Sequence, residues 1–365
     1  MSKISPFGSG TMDVHAAPRH EKTTTDCLYP LLTSMKLFGL YFVRQSTPVD
    51  EKLSKKSRRC NAWMIHGMFV VALMWINAVR IFSIFTSEDE FGLALLIKTI
   101  TVIWVVQCTV LHTAFYATSH LGTLQDVFMK IKLSHECALY VRTIAIIYTA
   151  VAWLIIAFGE AFFLHGLFVA GFMDDMLTPL HTHLPIDSPL VPRIFLFLLS
   201  FYLMAAQVFP QAMTFLLAML HRFQFNRVTD SLGSQIDSQD GRVEDDGFEA
   251  LRQEHQKIST SLGNIDGCLM FSNAAAFCCQ LAGFIIILYT ILFFHALIAD
   301  PLVITTFVFW MVLMSLGLVF TAAGGIIVNN SVSHSSTSCT YSSPLTPTVA
   351  IWDGYSYKAS CARPG

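Results

Sequence analysis

Cys268–Leu297 reads CLMFSNAAAFCCQLAGFIIILYTILFFHAL, thirty residues without one Asp, Glu, Lys or Arg. As an α-helix this stretch covers about 45 Å, more than the hydrocarbon core of a bilayer, roughly 30 Å thick. In lipid a single segment satisfies its own N–H and C=O groups only as a helix, so the stretch reads as a transmembrane span. Five more stretches have the same character: Ala62–Phe85, Phe91–Tyr116, Ile144–Phe172, Ile194–Leu220 and Leu302–Val328. Only Arg80, Lys98 and Glu160 place a formal charge inside the six. The composition agrees, because 54% of the 365 residues are hydrophobic and 13% are charged, about half the charge content of a soluble domain. The net charge of −2 supplies no basic surface for nucleic acid. The chain reads as an all-α membrane protein of six transmembrane helices.

Lys and Arg orient the spans, since they accumulate in cytoplasmic loops. Twenty of the 23 lie in the segment before Ala62, the second and fourth loops and the C-terminal tail. The first loop reads TSEDE, the third holds Asp174, Asp175 and Asp187, and the fifth is a turn at Ala299–Pro301. Both termini are therefore expected in the cytoplasm. The first 61 residues are polar and basic and carry no apolar run before a cleavage site, so no secretory leader is expected. None of the nine cysteines falls in the three outward loops. Cys108, Cys268, Cys278 and Cys279 lie inside spans and read as small apolar fillers. No spacing of Cys and His suggests a metal, no catalytic constellation stands at a membrane face, and neither an enzyme nor a cofactor is expected.

Between spans four and five the chain opens as a Ser, Asp, Gln and Gly linker over Thr229–Gly241. Phe248, Leu251, His255, Ile258, Leu262 and Ile265 then repeat at helical spacing. This predicts a long inner helix, residues 245–267, that leads into the fifth span, with Gly263 and Gly267 as points of bending; an amphipathic helix lying on the membrane surface is the alternative. The organisation is thus a cytoplasmic segment 1–61, a bundle 62–328 and a tail 329–365. The tail, with its run SVSHSSTSCTYSSPLTPT, reads as low-complexity and disordered.

Charge inside a span is costly and marks a paired or functional group. Glu160 is about 24 Å along the third span and Lys98 about 10 Å into the second from the outside, so an ion pair between them is geometrically open. Snorkelling to the headgroups is the alternative for Lys98 and the favoured reading for Arg80. His112 and Gln280 sit where interhelical hydrogen bonds are the ordinary use, and Pro210 predicts a kink in the fourth span.

Three short words carry a resemblance. Leu37–Phe42 (LFGLYF) precedes the first span, Leu251–Gly267 (LRQEHQKISTSLGNIDG) leads into the fifth, and Gly325–Ser333 (GIIVNNSVS) follows the sixth. With six spans and an inside N-terminus, they resemble the insect chemoreceptor superfamily of ligand-gated cation channels, nearer its gustatory-receptor-like branch. The resemblance covers about residues 30–335. It implies a plasma-membrane chemosensory receptor that assembles as a homo- or hetero-tetramer with family members. It also implies a small-molecule pocket in the outer half of the bundle. At that depth the polar and aromatic candidates are Lys98, Glu160, His165, Tyr202, Gln207, Tyr289, His295 and Trp310. The family carries a seventh, pore-lining helix with a TYhhhhhQF signature. Here Thr340 and Tyr341 are followed by SSPLTPTV, so these residues are expected to lack it. A non-conducting accessory or receptor-like protein is the alternative. A G-protein-coupled receptor fits poorly with six spans and a cytoplasmic N-terminus, and a transporter with the lack of an internal repeat.

Overall fold

A computed structural model describes residues 23–43, 62–85, 91–131, 133, 135–169, 190–238, 245–294 and 301–341. Every regular element among them is helical: α1 Thr24–Cys27, α2 Tyr29–Leu37, α3 Ala62–Ile81, α4 Leu93–Leu121, α5 Thr123–Lys130, α6 His135–Phe168, α7 Leu190–Ser238, α8 Asp245–Phe293 and α9 Pro301–Tyr341, with a 3₁₀ turn Phe82–Ile84 after α3. Six of these, α3, α4, α6, α7, α8 and α9, are long and apolar enough to cross a membrane. Their outward faces are apolar, as lipid requires: Phe69 and Ile76 on α3, Leu154 and Phe158 on α6, and Phe271 and Ile285 on α8 are all exposed.

The helices α4, α7, α8 and α9 pack against one another, α3 lies along α4, and α6 lies along α7. Two helices outgrow any membrane. At 49 residues each, α7 and α8 reach roughly 74 Å, and beyond the bundle they pair as a stalk. There Phe225, Val228 and Ile258 form a small separate core with Leu251 and Leu262. The His255 ring stands 5.4 Å from Phe225, and Arg227 meets Glu254 at 3.7 Å. This is the face that the periodicity of 248–265 predicts.

The structure moves two boundaries. The stretch read as a linker from Thr229 is helical through Ser238, because no proline interrupts it and its Ser, Thr, Asp and single Gly weaken a helix without breaking it. The expected tail is helical as far as Tyr341, thirteen residues past Val328, since the next residue that breaks a helix is Pro344; residues 342–365 lie outside the described set. Gly263 and Gly267 sit within one unbroken helix, with open space around both. Pro210 is likewise retained inside α7, whose Thr214 hydroxyl donates to the Pro210 carbonyl at 2.9 Å.

The segment before the first span is packed into the bundle. Thr23 and Asp26 form a reciprocal capping box that starts α1, and Pro30 suits the first turn of α2. Gly39 then turns the chain at φ +71°, a conformation open to glycine at little cost. A Cβ on Gly39 would lie 2.8 Å from the Gly67 Cα, and one on Gly67 2.7 Å from the Gly39 carbonyl. These two glycines let the segment lie directly on α3. Leu28, Leu31, Met35, Leu40, Tyr41 and Phe42 are buried. Thr24 donates to the Ile131 carbonyl at 2.9 Å, Ser119 to that of Leu40 at 3.3 Å, and the Trp153 indole N–H to the Ser34 hydroxyl at 3.0 Å. Burial pushes the Tyr41 phenol up to about 12, which keeps it neutral.

Candidate ligand site

Gln107 on α4 and Gln207 on α7 meet in the middle of the bundle, both fully buried. The Gln107 Nε2 donates to the Gln207 Oε1 at 2.9 Å, and the Cys108 thiol approaches the same oxygen at 3.6 Å. The opposite ends, Gln107 Oε1 and Gln207 Nε2, are shielded and have no partner. One turn along α4, Trp104 packs edge-on to Trp310 of α9 at 4.9 Å. Trp104 and Gln107 share a face of α4 by their three-residue spacing, so Gln207 and Trp310 are brought to one side of that helix.

On α8, Gln280 is fully buried, and neither end of its amide has a partner. Its side chain covers Gly317 of α9 so closely that a Cβ there would lie 2.5 Å from Nε2. His112, one turn beyond Cys108, is also fully buried, with the Gly39 backbone as the polar group nearest its ring and no hydrogen bond of full geometry. Interhelical hydrogen bonds, the use expected of His112 and Gln280, are not formed among the described residues. Gln107, Gln207, Gln280 and His112 thus place uncharged donors and acceptors in the interior. Buried groups of this kind are normally satisfied, by ordered water where no side chain reaches them, and an uncharged hydrogen-bonding molecule would meet the same donors and acceptors.

The remaining candidates are dispersed. Glu160 is buried, and its Oε2 lies 2.6 Å from the Ser200 hydroxyl of α7. The Lys98–Glu160 pair left open by the sequence is not what the carboxyl makes, because α6 packs on α7 and the N-terminal helices while Lys98 is half-buried on α4. Gly159 permits the α6–α7 contact, since a Cβ there would run into the Met204 side chain. Tyr202 is half-buried against Phe38 and His66, at 5.9 and 6.1 Å, and so belongs with the N-terminal segment. Tyr289 stands among Phe91, Phe293 and Phe294, at the opposite end of the bundle from the stalk. His165 is half-buried on α6. His295 lies outside the described residues.

Sequence reasoning missed Gln107, Trp104 and Ser200. A polar residue amid an apolar run was the available signal for Gln107, read there for Gln207 and Gln280 alone. Fold and site together define an all-helical protein with six helices able to cross a membrane. No protein-family model and no curated protein matches the chain.

Proposed function

We propose that this chain forms the ligand-sensing six-helix bundle of a plasma-membrane chemosensory receptor, of the gustatory-receptor-like class of ligand-gated cation channels. The observation that supports it most is the unbroken helix Asp245–Phe293, which joins the family-like stretch Leu251–Gly267 directly to the fifth span. The guest is a small molecule held near Gln107, Gln207 and Trp310, and the conducting form is a tetramer of this chain or of this chain with relatives. The pore of that class is lined by a seventh helix at the symmetry axis, and residues 342–365 hold no apolar stretch long enough to be one.

These 365 residues expressed alone therefore reach membranes and pass no gated current. Fusion of a family-type seventh helix after Asn330 restores a conducting assembly. Whole-cell recording of both forms against sugars, bitter compounds and amino acids tests this. A gated cation current from the 365 residues alone overturns the assignment of conduction to a seventh helix. Silence of the fused form at the surface of cells, with correct assembly, overturns the receptor reading.

A further inference from the structure

The hydrogen-bond geometry of the contact between α6 and α7 is met in full by one extra proton. The Ser200 Oγ lies 2.6 Å from the Glu160 Oε2 and 2.7 Å from the Phe197 carbonyl oxygen. A serine hydroxyl has one hydrogen, and a carbonyl oxygen is an acceptor only. The Ser200 hydrogen can serve Phe197 or Glu160, and both distances are those of full O–H···O bonds. Both are made at once when Glu160 carries a hydrogen of its own, so that the carboxylic acid donates to Ser200 and Ser200 donates to Phe197.

The surroundings agree. Glu160 is 4% exposed and Ser200 is fully buried. The second carboxyl oxygen, Oε1, is shielded and takes no hydrogen bond. Ile156, Phe163, Leu196, Leu199 and Leu203, within a turn or so along the two helices, are buried apolar residues. An ionised carboxylate here would keep one hydrogen bond and no counter-ion among the described residues, a state that buried groups avoid by neutralising. Among the described side chains, the titratable and charged groups on the packed elements are Asp26 and Cys27 of α1, Tyr29 and Lys36 of α2, Arg193 and Tyr202 on the Ser200 half of α7, and Tyr148 and His165 within a dozen residues on α6 itself. Ser200 is the partner that the Glu160 carboxyl takes among the described residues.

We propose that Glu160 binds a proton in the folded protein, and that the neutral acid latches α6 to α7 through Ser200. No ligand is needed for this, so the inference stands apart from the receptor reading. Removing the proton leaves a bare charge between two packed helices and loosens that contact.

Infrared spectra of the full chain, purified in lipid nanodiscs at pH 7, test it. The wild type shows a protonated-carboxyl stretching band that is lost in Glu160→Gln and shifted in Ser200→Ala. In thermal melts, alkaline pH lowers the melting temperature of the wild type more than that of Glu160→Gln. Absence of the carboxylic-acid band from the wild type overturns the proposal whether or not Glu160→Gln folds. A band that Ser200→Ala leaves unmoved also overturns it, because the acid would then not be donating to Ser200.

Discussion

Gln107 shows how one side chain ties together two helices far apart in the chain. Replaced by leucine, it takes a donor from the Gln207 Oε1 and leaves the Gln207 amide short of a partner in a shielded interior. Orphaning a buried polar group costs about 1–3 kcal/mol, whereas exchanging both partners for apolar groups of similar shape is near neutral. Gln107→Leu is therefore expected to lower stability by that amount, and Gln107→Leu with Gln207→Leu to recover most of it. Melting curves of the two single variants and the double variant in detergent measure the coupling. Strict additivity would show that the two amides do not interact. At this scale the sequence was legible in part. Gln207 and Trp310 stood out as polar or aromatic residues at helix positions, but their respective neighbours, Gln107 and Trp104, are about a hundred and two hundred residues distant along the chain. A contact between helices so far apart leaves no trace in local spacing.

The elements differ in how well their ends could be read. Apolar runs marked every span, because lipid demands an apolar surface, yet nothing in a polar extension says where a helix stops. Hence α7 runs through Ser238 and α9 through Tyr341, beyond the limits set by hydropathy. In α8 the stalk and the span are one helix, and Gly263 and Gly267 lie in it with nothing near their missing side chains. Glycine in a helix interior costs roughly 0.8–1 kcal/mol relative to alanine. Gly263→Ala with Gly267→Ala is thus expected to stabilise the chain by about 1–2 kcal/mol, seen as a higher melting temperature. A loss of stability would mean that the helix must bend at these positions, as the sequence alone suggested.

The whole molecule is a bundle with a stalk at one end, and charge gives it a direction. Twenty of 23 Lys and Arg fall in segments that connect to that end, so tags at Met1 and Gly365 are expected to be reached by antibodies after permeabilisation alone. A surface signal from either tag on intact cells would invert or break the six-span arrangement. The sequence by itself determined the class of fold, the number of spans and the charge asymmetry, because these follow from the solvent that each segment must meet. Only the tertiary structure decided that Thr23–Val43 is packed into the bundle, that Glu160 answers to Ser200 rather than Lys98, and that α4, α7, α8 and α9 enclose the buried amides. Each of these depends on which helices are neighbours. In a membrane any apolar face can meet lipid or another helix, so hydropathy leaves the choice of neighbour open, and shape settles it where Gly39 meets Gly67 and Gln280 covers Gly317.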